Sequence, residues 1–183
     1  LNECDVLLAV GARFDDRVTS GQRNFIPDAT IIHVDVDPAE IGKAVQPKIP
    51  IVGDAKHVLS ELIEQVRAPE IDEWLEQISI WRKEYPLRYE ADGQLKPQYI
   101  IEQLAELVGP NAIIATEVGQ NQMWAALYYP FNKSRTILTS AGLGTMGYGF
   151  PAAIGAQVGN PDAVVVDIAG DGSIQMNIQE LAT

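Results

Sequence analysis

Short apolar runs that stop at glycine constrain this chain more than any other feature. Residues 5–10 (DVLLAV) end at Gly11, and residues 163–168 lead through Ala169 into Gly170-Asp171-Gly172-Ser173. A run of this length bounded by a turn signal reads as a buried strand. Further strands are expected at 30–37, stopping before Pro38, at 49–52, at 112–116 and at 136–139. Between them lie stretches with the apolar spacing of one helical face. These are 55–66 (apolar at 58, 59, 62, 63 and 66), 97–108 with proline in its first turn, 120–129, and an alanine-rich stretch at 146–158. A final helix is expected after Ser173. Alternation of this kind predicts an α/β fold of parallel sheets with flanking helices.

The pattern is interrupted once. Residues 71–84 (IDEWLEQISIWRKE) are charged and amphipathic, with Trp74, Ile78 and Trp81 at helical spacing, a packing stripe. Pro86, Gly93 and Pro97 punctuate the stretch after it. The expected organisation is therefore one α/β part over 1–66, a linker with a helix over 67–95, and a second α/β part over 96–183. Leu1 stands almost at the start of a strand and IQELAT reads as the middle of a helix, so the reading is of an internal piece of a longer chain.

Charge limits the partners. The net charge is −12 and the pI about 4.4. Nonspecific nucleic-acid binding and docking on anionic membranes both need basic surface, so neither is expected. An anionic ligand must be held locally, by backbone N–H groups, a metal or a few arginines. One cysteine, Cys4, excludes an internal disulfide and fits a reducing, cytoplasmic setting. No apolar stretch reaches the length of a membrane span.

In open α/β sheets, ligands bind outside the carboxyl ends of the strands. Four loops qualify: 11–18 (GARFDDRV), 116–122 (TEVGQNQ), 140–149 (SAGLGTMGYG) and 170–173 (GDGS). A carboxylate between glycines suits a hard divalent cation such as Mg²⁺, which shares its few oxygen ligands with phosphate. Taken alone, Asp171 also fits a turn or helix-cap residue. Arg13, Asp15, Asp16 and Arg17 likewise fit a self-paired surface cluster of little energetic worth.

In combination, these loops resemble the diphosphate-binding domain of thiamine diphosphate (ThDP) enzymes. GARFDDRVT, HVDVDPAEIGK, GDA, VGQNQMWAA, GLGTMGYGFPAAIGA and AGDGSIQMNIQEL, in this order, resemble the large catalytic subunits of the acetohydroxyacid (acetolactate) synthases. The resemblance implies parts of two Rossmann-like domains, a middle FAD-binding domain and the ThDP diphosphate-binding domain. It implies that Asp171 binds Mg²⁺ and, with Gly170, Gly172 and Ser173, seats the diphosphate. It further implies that Val118, Gly119, Gln120 and Asn121 line the diphosphate and thiazolium side. Gly144 and Met146 would contact the aminopyrimidine, Met146 supporting the bent cofactor as the catalytic contact. For FAD it implies Gly11, Ala12, Arg13, Asp15, Arg17, Val18, Asp35, Val36, Asp54 and Ala55.

The implied reaction decarboxylates pyruvate and joins the two-carbon unit to a second 2-oxo acid, in branched-chain amino acid biosynthesis. The implied assembly is a homo-oligomer, dimer or tetramer, with a regulatory small subunit. The family usually has histidine where Asn121 stands, and often aspartate at Glu117. The remaining metal-motif asparagines, and the glutamate that activates the aminopyrimidine, lie outside this stretch in the family. The chain by itself is therefore expected to be inactive.

Overall fold

Each strand finds a parallel partner in the computed structural model, which describes residues 1–20 and 25–183. The chain forms two units, Leu1–Trp74 and Leu75–Thr183.

In the first unit, β1 (Val6–Val10), β2 (Thr30–Asp35) and β3 (Ile49–Val52) lie in the order β1-β2-β3, all parallel. The β-branched central strand β2 is the best covered, with Ile31, His33, Val34 and Asp35 all buried. It ends two residues earlier than its composition predicts. The Asp37 N–H turns back to Asp35 Oδ1 at 2.9 Å, and Pro38 has no N–H to continue a ladder. A short helix α1 (Asp16–Thr19), which no local pattern announces, follows β1. Asp15 caps it, its Oδ1 accepting from the N–H groups of Arg17 (3.1 Å) and Val18 (3.2 Å). Helix α2 (Ala55–Gln65) starts at Asp54, whose Oδ1 accepts from His57 N–H at 3.1 Å.

The apolar face of α2 is narrower than its sequence spacing predicts. Val58, Leu59 and Leu62 are half-buried, while Ile63 and Val66 are 76% and 64% exposed. Ile63 lies about 140° around the helix from Val58, and Val66 has already left the helix as its C-cap. The core of this unit is Ala9, Phe14, Ile26 and Ile31.

Helix α3 (Asp72–Glu84) contains the division between the two units, and Trp74, Ile78 and Trp81 are half-buried along it. Helix α4 (Pro97–Val108) has the predicted bounds. There follow β4 (Ile113–Thr116), α5 (Gln120–Tyr128), β5 (Ile137–Thr139), α6 (Gly149–Gly159), β6 (Val165–Ile168), α7 (Asp171–Ile174) and a 3₁₀ helix (Gln175–Ala182). The sheet order is β5-β4-β6, parallel throughout. The chain leaves β4 to one side for β5, then crosses back to the other side for β6. That places a topological switch point between β4 and β6. Ile114, Ala115 and Thr116 of β4 have no exposed surface. The core gathers Ile101, Ala112, Ile114 and Tyr129, with Trp124, Val166 and Ile168 against it.

β6 starts two residues later than expected, and two helices of this unit also differ. Helix α6 begins at Gly149 rather than 146, because residues 145–148 form a turn with Gly147 at φ +86°. The last helix is broken at Asn177 (φ −132°, ψ 32°), whose Nδ2 donates to Gly147 O at 2.6 Å. No helix among the described residues is long and apolar enough to cross a membrane.

The first turn of α6 lies hard against the end of β4. A methyl group on Gly149 would come within 2.6 Å of Asp167 Oδ1, Glu117 N and Thr116 C, whereas one on Gly155 would meet nothing within 4 Å. Two of the Gly149 neighbours are backbone atoms and cannot rotate away. Gly149→Ala should therefore lower unfolding stability by about 3 kcal/mol, and Gly155→Ala should raise it by roughly 0.5–1 kcal/mol. Urea unfolding of both variants checks this, and equal effects at the two positions would contradict the packing described.

Candidate functional site

Parallel strands deliver their following loops to one edge of the sheet. In the second unit these are the loops after β4, β5 and β6, and the residues singled out in the sequence meet there. A methyl group on Gly144 would lie 3.9 Å from Val118 Cγ1, and one on Gly172 would lie 3.8 Å from Met146 Cε. Gly119 takes φ +144°, a conformation few side chains adopt, and a methyl there would be 3.0 Å from Asn121 Oδ1. Asn121 Oδ1 also lies 3.7 Å from the corresponding point on Gly170. Asn121 Nδ2 donates to Ile168 O at 2.6 Å, tying the first turn of α5 to the end of β6. Val118 N–H reaches Ser173 Oγ at 3.5 Å. Gln120 is exposed at the start of α5, and Met146 is 43% exposed.

Asp171 opens α7 with an exposed carboxylate, its Oδ1 accepting only the neighbouring Gly172 N–H at 2.9 Å among the bonds seen. No group of three or more His, Cys, Asp or Glu side chains that could hold a metal occurs among the described residues. A single exposed carboxylate does not make an all-protein cage. It does fit Mg²⁺ that completes its shell with water and ligand phosphate.

One fully buried charged group at this edge is a residue that the motifs leave out of the site. Glu117, the first residue after β4, has no exposed surface. Its Oε2 accepts from Ser173 Oγ–H (2.6 Å) and Gly147 N–H (2.7 Å), and its Oε1 accepts from Phe150 N–H (3.0 Å). Burial pushes its pKa up. The Ser173 hydroxyl and the N–H groups of Phe150, Gly147 and Gly149 more than offset that, leaving it below the usual carboxylate value. Asp167 on β6 has the opposite fate. Both its carboxyl oxygens are buried without a hydrogen-bond partner, and burial, with the negative charge of Glu117, pushes its pKa up to about 6. The one local hint at Glu117 was its place, an acid directly after the apolar run of β4.

The first unit repeats the arrangement. Gly11 (φ +64°) donates to Val34 O at 2.8 Å, and Gly53 donates to Asp35 O at 2.9 Å. Residues 11–18, Asp35, Val36, Asp54 and Ala55 thus follow the carboxyl ends of three adjacent strands. Arg13 Nη2 pairs with Asp15 Oδ2 at 3.2 Å, both side chains substantially exposed. Asp15 and Asp54 are helix caps, and Asp35 spends Oδ1 on Asp37 N–H, leaving Oδ2. Buried His33 bonds Ala12 O through Nε2 at 2.8 Å and packs edge-on against Phe14, fixing the start of the first loop. A row of strand-end loops with a glycine, an arginine and a carboxylate oxygen is a donor set that fits a dinucleotide.

Two family models match the chain. That of the thiamine pyrophosphate enzyme central domain covers residues 1–62, and that of the C-terminal TPP binding domain covers residues 117–183. Thiamine pyrophosphate is ThDP. Among curated relatives, an acetolactate synthase of Mycobacterium leprae is 51% identical over the whole chain and 31% of its own length. The acetolactate synthase isozyme 3 large subunit of Escherichia coli is 47% identical, and a probable acetolactate synthase large subunit of Methanocaldococcus jannaschii 51%, each over the whole chain and 33% of its own length. The chain spans about a third of the length of these relatives.

The two carboxyls titrate in opposite senses. Asp167 has its folded pKa raised from 3.8 to about 6, so it favours the fold below pH 4 and that contribution is lost as the pH rises through 6. Glu117 is lowered from 4.5, so its contribution is present above that value and lost as the pH falls. Asp167→Asn should therefore be more stable than the parent above pH 6, by roughly 2 kcal/mol, with the gap closing towards pH 4. Urea unfolding from pH 4 to pH 8 measures it, and parallel curves for the two proteins would show that Asp167 carries no raised pKa.

Proposed function

The chain belongs to the thiamine pyrophosphate enzymes, and from that premise we propose that it is part of an acetolactate synthase catalytic subunit. The reaction is decarboxylation of pyruvate and transfer of the two-carbon unit to a second 2-oxo acid, giving 2-acetolactate or 2-aceto-2-hydroxybutyrate. The observation that carries this reading is the convergence of Val118, Asn121, Gly144, Met146, Gly170 and Gly172 at the switch point between β4 and β6. The identity of about half to acetolactate synthases over the whole chain supports it.

Bound ThDP would supply the electron sink that lets pyruvate lose carbon dioxide. The residues here would hold and shape it. Asp171 would take Mg²⁺, and Gly170, Gly172, Ser173 and the Val118–Asn121 stretch would line the diphosphate. Glycines allow the backbone to approach, so N–H groups rather than basic side chains would meet the anion. Gly144 would leave room for the aminopyrimidine, and Met146 would fill the space beneath it with a flexible apolar side chain. Gly144 and Met146 would thereby keep that ring in one place, the positioning that the chemistry of bound ThDP would need. Asn121 holds α5 to β6 and does not titrate near neutral pH, so it moves no proton.

FAD would sit on the first unit at Gly11, Ala12, Arg13, Asp15, Arg17, Val18, Asp35, Val36, Asp54 and Ala55. Two pyruvates and one proton balance one acetolactate and one carbon dioxide, with no electrons left over, so FAD would be structural. Two of the three relatives named above are called large subunits. We extend to this chain assembly with further copies of itself and with a smaller regulatory subunit.

The test is acetolactate formation from pyruvate. The full-length protein should form it with ThDP and Mg²⁺, and residues 1–183 alone should not. Asp171→Asn in the full-length protein should lower the rate about a hundredfold, roughly 3 kcal/mol of transition-state stabilisation. A full-length protein that makes no acetolactate under these conditions would refute the assignment.

A further inference from the structure

We propose that Glu117 is the positioning residue of the ThDP site, a buried carboxylate that sets the spacing between the Met146 turn and the Asp171 turn. The proposal rests on the acetolactate synthase reading and adds to it a residue that touches neither cofactor nor substrate.

The geometry is specific. Glu117 sits at the end of the central strand, with its own N–H bonded to Ile168 O at 3.1 Å. Its side chain reaches two other loops. Gly147 and Phe150 flank the start of α6, and Gly147 directly follows Met146. Ser173 lies two residues after Asp171. The Ser173 hydroxyl donates to Glu117 Oε2 at 2.6 Å and lies 3.2 Å from Gly147 N, so one carboxylate oxygen, one hydroxyl and one N–H close a three-membered cluster. Gly149, with no side chain, lets the first turn of α6 come this close.

An ionised carboxylate without exposed surface is tolerated only when its oxygens are hydrogen-bonded. Here the donors come from both loops that carry the cofactor residues. Moving either loop would strand the charge, so Glu117 holds both at fixed distance.

Glutamine at this position has the same shape but one acceptor oxygen in place of two. Whichever way its amide lies, its NH₂ faces the Phe150 N–H or the Gly147 N–H. Aspartate keeps both acceptors and the charge, one methylene shorter. Loops at ligand sites open locally at less cost than global unfolding, so the loss should fall on cofactor binding and not on the melting midpoint.

The experiment uses the full-length protein, its Glu117→Gln and its Glu117→Asp variants. Mg²⁺-dependent ThDP affinity is measured by calorimetry, with the melting midpoint of the cofactor-free protein and the pyruvate KM at saturating ThDP alongside. The expected result for Glu117→Gln is about thirtyfold weaker ThDP binding, the cost of one stranded buried donor. Its midpoint and pyruvate KM should stay near the parent's, and Glu117→Asp should recover most of the affinity. Unchanged ThDP affinity in Glu117→Gln would overturn the proposal while leaving the synthase reading intact. So would a loss of affinity that tracks a fall in melting midpoint, or one that aspartate shares in full. A parent protein that binds no ThDP would overturn both.

Discussion

Parallel pairing sends the carboxyl end of every strand to the same edge, and the rest of this molecule depends on that constraint. In the second unit the central strand β4 is sealed on both sides, so the first polar side chain after it emerges into a dry space. That side chain is Glu117. Its charge demands donors, and the nearest loops supply them from 30 and 56 residues further along the chain. The loops that carry the candidate cofactor residues are thereby tied to the sheet by an electrostatic necessity, not by apolar packing alone. The first unit meets the same constraint with an imidazole ring. His33 is buried on its central strand and ties down the loop after β1 through Ala12 O.

The electrostatics of the edge also explain how an acidic chain could serve an anionic ligand. With a net charge of −12, a diphosphate is not attracted by the protein as a whole. What the edge offers is local: glycine-flanked N–H groups, an exposed carboxylate suited to a divalent cation, and a buried carboxylate whose charge is already satisfied. Glu117 is held ionised by its donors while Asp167, lacking any, is driven towards its neutral form. Two carboxyls in one dry region thus titrate apart, Asp167 taking up its proton below about pH 6 while Glu117 stays ionised.

Much of this was legible in the sequence. The strands, the bounds of α4 and the glycine loops could be read because each depends on local pattern: apolar runs, helical spacing and turn chemistry. The candidate residues Val118, Gly144, Met146 and Gly172 were legible as a set from the order of the motifs. What escaped depends on partners far along the chain. Local propensity starts α6 at 146, but Gly147 takes φ +86° in a turn before the helix, its N–H bonded to Glu117. The last helix reads as continuous, but Asn177 bends to reach Gly147 O across 30 residues. Ile63 and Val66 fit a helical stripe by spacing, yet Ile63 turns away from the Val58 face and Val66 is already the C-cap of α2. The burial of Glu117 and the missing partners of Asp167 are properties of the assembled edge, and no window of sequence contains them.

Asn121 stands where the resemblance implies histidine, and the structure gives it a defined task. Its Nδ2 donates to Ile168 O at 2.6 Å, and its Oδ1 lies beside Gly119 and Gly170. An amide makes these contacts in one protonation state at every working pH, whereas an imidazole would change between acceptor and donor near neutrality. With Asn121 fixed and Glu117 held ionised, Asp167 is the carboxyl of this edge displaced towards neutral pH. Asp167 lies on the strand beneath these loops, where burial and the Glu117 charge both disfavour its ionised form.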